Sequence, residues 1–362
     1  MLIHLLHQEI APMEMDRQAQ VQSRDLLTTS GQGEIRVGPI LAIPLVLSEL
    51  GVRPLDVFAL AGIDQRLFDN PDNRIGIEVL GGLLETCVML TGCHHFGLLV
   101  GERFELQGLG PLGEMLRNSA TVGEAIRALL RHFHIHDRGA APVLLAPDSS
   151  HVVLGYSVFQ HGLPALVQIQ DAAITIGYRI LAELCGSSWK TKRVQFLHAP
   201  PARADAYHRL FGANVAFEAE VSGIVFAPSW LEKEIEGADA TQLERVTGAI
   251  RDAEVKGAMG FSERVQGMLP QMLLSNMATA GAVANLLAVH ERTLRRRLED
   301  EGTNLQQLIN QARFELARQF LQNTALSVSA IASALRYDDP NAFSRAFRSW
   351  ANCSPSQWRA QH

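Results

Sequence analysis

Glu291-Arg292-Thr293-Leu294-Arg295-Arg296-Arg297-Leu298-Glu299-Asp300 and Pro340-Asn341-Ala342-Phe343-Ser344-Arg345-Ala346-Phe347-Arg348-Ser349 decide what the C-terminal part of this chain is. Wound as helices at about 100° per residue, both are two-faced. The first puts Leu294 and Leu298 on one side and Arg292, Arg295 and Arg296 on the other. The second puts Phe343, Ala346, Phe347 and Trp350 on one side and Asn341, Ser344, Arg345 and Arg348 on the other. An offset of 49 residues carries Leu294 onto Phe343, Leu298 onto Phe347, Arg296 onto Arg345, Arg295 onto Ser344 and Arg292 onto Asn341. The preceding segments follow at the same offset, with Val283 and Leu286 falling on Ala332 and Leu335. A weak internal repeat is therefore expected.

Each half reads as a short helix, a tight turn and a second helix with an apolar back and a hydrogen-bonding front. That is the layout of a helix-turn-helix: the back packs on the first helix and the front enters the major groove. Arginine can bond guanine bidentately there, and asparagine adenine. The other arginines and the helix N-termini can hold phosphates. Arg297 lies off the front and is expected at the surface or on a phosphate. Capping signals bound the elements: Gly302 as a helix end, Thr303-Asn304-Leu305-Gln306 as a capping box, Ser327 as an N-cap, Asp339-Pro340 as N-cap and N1, and Ser354-Pro355-Ser356-Gln357 for the last helix. Leu305, Leu308, Ile309, Ala312, Leu316 and Phe320 share one face of a long helix, Leu305–Leu321, that separates the units. If it is rigid, the two recognition helices enter successive grooves about 34 Å apart on one DNA face.

On these residues, 280–359 resembles the DNA-binding domain of the AraC/XylS family of bacterial transcription regulators. The match runs through Arg292–Leu298, Glu301-Gly302-Thr303, Arg313 and Ala317, Ile331-Ala332, Pro340–Phe347 and Ser354-Pro355. The departures are local. His290 stands where the family has a Ser or Thr cap, whose loss costs about 1 kcal/mol. Arg336 stands where it has Gly, and a left-handed Arg is strained by about 1–2 kcal/mol. Ala351-Asn352 replaces Thr-Gly, and Asn tolerates that turn.

Upstream, the segment from Arg36 to Asp137 reads as mostly helical, cut by Pro39, Gly51, Pro54, Gly62 and Pro71. Thr121-Val122-Gly123-Glu124 opens a helix as a capping box. Val143–Leu145 and Val152–Val158, around Pro147-Asp148-Ser149-Ser150, predict a β-hairpin. A long helix is expected over Pro164–Cys185, short strands at Arg193–Leu197, Ala216–Phe217 and Ile224–Phe226, and a helix at Arg203–Phe211. Gly108–Gly113, Thr121–Ala125 and Ile224–Leu231 resemble the arabinose-binding-like N-terminal domain of a subset of AraC regulators. That resemblance implies a domain that senses an effector or mediates oligomerisation, without implying arabinose. The expected organisation is a flexible segment 1–35, an effector or oligomerisation domain 36–231, a helical linker 232–261 and a DNA-binding domain 262–362 with units at 280–300 and 327–350. The fold class is an α+β N-terminal domain followed by an all-α domain with two helix-turn-helix units joined by a long helix.

Composition fits this division. Residues 262–362 hold 11 arginines, no lysine and 8 acids, whereas the rest holds 21 basic and 30 acidic residues. A basic tail on an acidic body suits a nucleic-acid module attached to something else. Cys87, Cys93, Cys185 and Cys353 form no C-x-x-C and read as reduced thiols in a cytosolic protein. Met1–Ile10 lacks a basic n-region and a cleavage site, so no leader is expected. No stretch is apolar enough to span a bilayer: Ile40–Leu50 is broken by Pro44 and holds Glu49.

Other motifs are weaker. Gly108-x-Gly110-x-x-Gly113 has dinucleotide spacing, but no βαβ unit surrounds it and Pro111 suggests a helix start. His132 and His136 could chelate only if one helix carried both, and Asp137-Arg138-Gly139 reads as its end; His94-His95 is weaker still. No Gly-x-Ser-x-Gly, His-Glu-x-x-His or Walker loop occurs, so no enzyme, catalytic residue, metal or cofactor is expected. The expected function is cytoplasmic, sequence-specific transcription regulation, as an activator or a repressor, controlled by a small-molecule effector. DNA-binding residues are Arg292, Arg295, Arg296, Asn341, Ser344, Arg345 and Arg348. Expected partners are double-stranded DNA, an unidentified effector, and RNA polymerase if the protein activates; a homodimer is left open. The alternative is an enzyme or metal-dependent sensor in the N-terminal domain with DNA binding secondary.

Overall fold

The computed structural model describes residues 33–361 apart from 138, 149, 159–162, 202–203, 213, 257–259, 275–277 and 288. It opens with β1 (Glu34–Arg36), followed by α1 (Ile43–Glu49), α2 (Pro54–Ala61) and β2 (Arg74–Gly76). β1 and β2 pair antiparallel, with Ile35 opposite Ile75. This small ladder was not anticipated, because three-residue strands carry no alternation signal. It also places Glu34 and Ile35, expected to belong to a flexible segment, in regular structure. Then come α3 (Ile77–Thr91), α4 (Phe96–Glu102), α5 (Pro111–Arg117) and α6 (Val122–His132), which tightens into a 3-10 turn at Phe133–Ile135. Pro54 and Pro111 begin their helices, where a missing N–H is harmless. Thr121 caps α6 by accepting from Glu124 N at 3.2 Å, while the Glu124 carboxylate reaches Ala120 N.

The second layer is a sheet. β3 (Ala140–Asp148) and β4 (His151–Val158) form the expected hairpin, with a first strand longer than the reading and an irregularity between Leu145 and Asp148; residue 149 of its turn lies outside the described residues. α7 (Leu166–Cys185) crosses behind them. β5 (Arg193–Gln195), α8 (Asp205–Phe211), β6 (Val215–Ala216) and β7 (Gly223–Phe226) complete a sheet ordered β3-β4-β7-β5-β6. α8 starts later than the expected Arg203, which falls outside the described residues. Ile174, Leu181, Leu154, Val194, Phe196 and Ile224 join α7 and the sheet in one core. α4 lies tight against α7. A methyl at Gly97 would sit 2.0 Å from the Gln168 carbonyl oxygen, and one at Gly101 2.6 Å from Thr175 Cβ. The Gly108–Gly113 motif is likewise a packing feature: Gly110 adopts φ +58° beside the Arg36 guanidinium, immediately before α5.

Asp171 of α7 is wholly buried and holds this layer to the loop after β5 and to α8. It accepts from Tyr207 Oη at 2.6 Å and faces His198 Nε2 at 3.0 Å. Burial works against charge on His198, but the hydrogen bond and the charge of Asp171 outweigh it, and the imidazole pKa rises above its ordinary value.

The remainder is helical: α9 (Ala240–Lys256), α10 (Phe261–Leu274), α11 (Ala280–Leu286), α12 (Glu291–Asp300), α13 (Leu305–Asn323), α14 (Val328–Ala334), α15 (Pro340–Ala351) and α16 (Pro355–Gln361). α9 falls in the expected linker yet is packed, with Val246 and Ile250 against Met115 and Ile135. The expected capping box of the long helix is displaced by one residue. Asn304 is the N-cap of α13 and exchanges bonds with Gln307, because Thr303 N still closes the end of α12 on the Leu298 carbonyl at 2.9 Å. The two halves of the chain share a face. Val143 of β3 belongs to the helical core, Ser157 of β4 donates to Gln319 Oε1 of α13 at 2.5 Å, and Ala325 N donates to the Glu220 carbonyl at 2.8 Å.

Candidate nucleic-acid interface

The first unit is α11, a turn and α12. Thr279 caps α11 by accepting from Ala282 N at 3.2 Å. Val283 and Ala284 on α11 meet Leu294 and Leu298 on α12, all nearly solvent-free. His290 is the N-cap of α12 and makes no side-chain cap bond, as the missing Ser or Thr implied. The second unit is α14, a turn and α15. Ser327 caps α14 through Ala330 N at 3.1 Å, and Asp339 caps α15 through Asn341 N at 3.0 Å. Ile331, Ala332 and Leu335 meet Phe343 and Phe347. Ser354 and Gln357 form the last capping box, at 3.2 and 2.9 Å.

The repeat needs one correction. The recognition helices align at an offset of 49 residues, but the first helices align at 48: Thr279 with Ser327, Val283 with Ile331, Ala284 with Ala332. The second turn is one residue longer, and the chain absorbs it with Arg336 at φ 61°. Asn352 ends α15 at φ 57°, in the left-handed region expected of it. Both are non-glycine residues where the backbone favours glycine.

The seven sequence-derived site residues lie as the wheels placed them, opposite the buried backs. Arg292, Arg295, Arg296, Asn341, Arg345 and Arg348 are exposed and Ser344 is half-buried. Among the described residues none of these five arginines has an ion-pair partner, which leaves their donors open to phosphates and base edges. Asn341 is partly engaged, since its Nδ2 donates to Asp339 Oδ1 at 3.2 Å.

Four supporting residues were not anticipated in their roles. Arg297 is exposed, as expected, and its guanidinium also lies 5.2 Å from the centre of the Phe261 ring, with Arg264 5.3 Å from the same ring. Glu301 accepts from Phe261 N at 2.7 Å and Ser262 N at 2.8 Å, so the end of α12 caps the start of α10. Bonds from Ser262, with help from Phe261 N–H and Arg264, hold the Glu301 pKa below the usual carboxylate value. In the second unit Arg359 of α16 donates to the Leu321 carbonyl at 2.9 Å and the Leu326 carbonyl at 2.7 Å, closing the end of α13. Arg313 stacks 5.2 Å from the Tyr337 ring centre. The Arg297–Phe261 and Glu301–α10 contacts join residues about forty apart, beyond helical periodicity.

The histidines of 132–136 do not share one helix face, and the His132 and His134 rings lie 6.4 Å apart, centre to centre. α6 ends at His132, His134 packs where a methyl on Gly267 of α10 would touch it at 3.2 Å, and His136 turns inward. No group of three or more His, Cys, Asp or Glu among the described residues could hold a metal. No single helix among them is long and apolar enough to cross a membrane.

Comparison with known proteins agrees with this geometry. Residues 51–235 match the family model described as the arabinose-binding domain of AraC transcription regulators, and residues 283–361 match a helix-turn-helix domain. The chain is 27% identical to the HTH-type transcriptional regulator VirS of Mycobacterium tuberculosis, covering 87% of this chain and 93% of the relative. It is 26% identical to the ornithine utilization regulator of Pseudomonas aeruginosa, with the same coverages of 87% and 93%. A search of solved structures finds the transcriptional regulator CdpR of Pseudomonas aeruginosa, 22% identical with a TM-score of 0.42, covering 84% of this chain and 96% of that one. The helix-turn-helix match and the two curated relatives point to a regulator rather than an enzyme, which sets aside the enzyme alternative. With an α+β N-terminal domain and two helix-turn-helix units, the chain belongs to the AraC family of DNA-binding transcription regulators.

Proposed function

We propose that α12 and α15 each enter a major groove and together read a two-part site, with Arg292, Arg295, Arg296, Asn341, Ser344, Arg345 and Arg348 making the contacts. The observation that carries this reading is the pairing of two exposed polar fronts with two buried apolar backs, on helices joined by the single helix α13. Arg295 and Arg345 suit guanine edges, and Asn341 suits adenine once it leaves Asp339. The remaining arginines suit phosphates. The working division is an effector domain 36–231, a linker 232–261 and a DNA-binding domain 262–362. An effector bound in the first would shift how the two readers are presented, provided it prefers one arrangement over the other. We place the protein in the cytoplasm, as an activator that meets RNA polymerase at the promoter, with homodimerisation a further means of control.

Cross-linking the tagged protein to DNA in its cell and sequencing the recovered fragments tests this. A limited set of sharp peaks, sharing two half-sites about 10 base pairs apart, is expected. Uniform recovery across the genome, with or without growth on candidate metabolites, would remove sequence-specific regulation.

A further inference from the structure

Between α7, β4 and the start of β1 lies a partly enclosed cavity. Its walls are mainly aliphatic, with Leu80, Leu129, Ile169, Ile176 and Ile180 among them. One end is polar and is built from Arg36, His136, Asp137 and Tyr156.

The hydrogen bonds at that end do not close. Asp137 is satisfied: it accepts from Gly139 N at 2.7 Å, Ala140 N at 3.1 Å and Tyr156 Oη at 2.6 Å. The Arg36 guanidinium donates to the Leu109 carbonyl at 3.0 Å and pairs with Asp72. Two buried atoms remain without a partner among the described residues, Arg36 Nε and His136 Nδ1. Their residues are 3% and 5% exposed, so bulk water does not serve them. Buried polar atoms are nearly always paired, and two orphans on one wall of an apolar cavity mark where a ligand's polar group belongs.

Charge narrows the ligand. Asp72 already balances the charge of Arg36 on this wall. Burial, with Arg36 and Arg74 nearby, pushes His136 well below its usual pKa, which keeps it neutral. Burial lifts Asp137 to about 7, so a ligand carboxylate would meet a second acid on this wall. A sugar would bring several hydroxyls to a wall with two open positions and otherwise aliphatic.

We propose that this cavity is the effector site and takes a neutral, mainly apolar molecule carrying one acceptor oxygen, such as an alkyl or aryl ketone or alcohol, seated with that oxygen at Arg36 and His136. The proposal rests on the effector-control reading above and names its ligand class. It also names the path outward, because two walls of the cavity are two-sided. Tyr156 lines it while the next residue of β4, Ser157, bonds Gln319 of α13; Phe133 and His136 line it while His134 between them abuts α10.

Isothermal titration of the full chain with octan-2-one, octan-1-ol, octanoate and L-arabinose tests the ligand class. The ketone and the alcohol are expected to bind one to one, octanoate at least about tenfold more weakly, and arabinose not at all. Ala173→Leu, which fills the cavity from α7, should abolish ketone binding. His136→Phe, which keeps the ring and deletes the nitrogens, should weaken it about tenfold, the equivalent of one hydrogen bond. Circular dichroism melts of both variants establish that each is folded. Tighter binding of octanoate or arabinose than of the ketone, binding by none of the four, or ketone binding indifferent to both substitutions would overturn the proposal. A DNA-binding assay with and without the ketone separates the two readings. Ligand binding with unchanged DNA affinity would strike effector control and leave the site standing.

Discussion

In the first helix-turn-helix unit the recognition helix has leucines on its back and three arginines on its front; in the second the back is Phe343 and Phe347 and the front is Asn341, Ser344, Arg345 and Arg348. Their anchoring differs in the same sense. α15 has an Asp339 cap and an aromatic cluster in which Phe347 lies 5.6 Å from Phe314 and 6.0 Å from Trp358, ring centre to ring centre. α12 has no side-chain cap and leans on α10 through Arg297 and Glu301. α10 in turn touches β3 and α6 of the N-terminal domain. The second unit is thus held mainly by aromatic packing around α15, and the first partly by a helix that also contacts the N-terminal domain. Two copies of one plan can then be held to different degrees, and the more weakly held one is the better placed to feel the N-terminal domain.

The largest effect should come from the second core. Phe347→Ala should cost about 3–5 kcal/mol in denaturant unfolding, and Leu298→Ala about 2–5 kcal/mol. A Phe347→Ala loss well below that of Leu298→Ala would break the contrast in anchoring. Next, Glu301 should give the first unit an acid-sensitive dock. Its pKa is lowered in the folded chain, so its contribution is present above about 4.5 and is lost as pH falls through the folded value. Amide exchange at the start of α10 should therefore accelerate below that pH in the native protein, and Glu301→Gln should flatten the profile. Caps come third. Asp339→Ala should cost about 1 kcal/mol, while His290→Ser should add up to a similar amount, which thermal melts can resolve. The smallest effect is expected at Arg336. Glycine there relieves about 1–2 kcal/mol of left-handed strain and returns about 0.5–1 kcal/mol of backbone entropy to the unfolded chain. A net gain between about 0 and 1.5 kcal/mol should follow, and a net loss would mean that the Arg336 side chain contributes more than its backbone costs.

The two polar fronts and apolar backs are legible in the sequence because helical periodicity is local. Leu294 with Leu298, and Phe343 with Phe347, stand one turn apart, and their fronts follow. Ser327, Asp339 and Ser354 are capping residues whose partners lie two or three positions away, and each occupies the expected position. The misses share a different cause. The β1–β2 ladder joins Ile35 to Ile75, Arg297 finds Phe261, and Ser157 finds Gln319, all contacts made by tertiary packing. The cavity was invisible for the same reason, since Arg36, His136 and Tyr156 come from three separate elements. The one-residue slip in the repeat arose because Val283 and Ile331 sit in helices too short for periodicity to fix their phase.

The central claim is that both units read DNA through the fronts of α12 and α15. Its most direct test is the affinity of Arg295→Ala and Arg345→Ala for a duplex recovered in the cross-linking experiment, with every base pair of both half-sites varied in turn and salt held constant. Each substitution is expected to cost about 1–3 kcal/mol and to relax base preference within one half-site only, a different half-site for each variant. Unchanged affinity and unchanged preference in both variants would contradict the account.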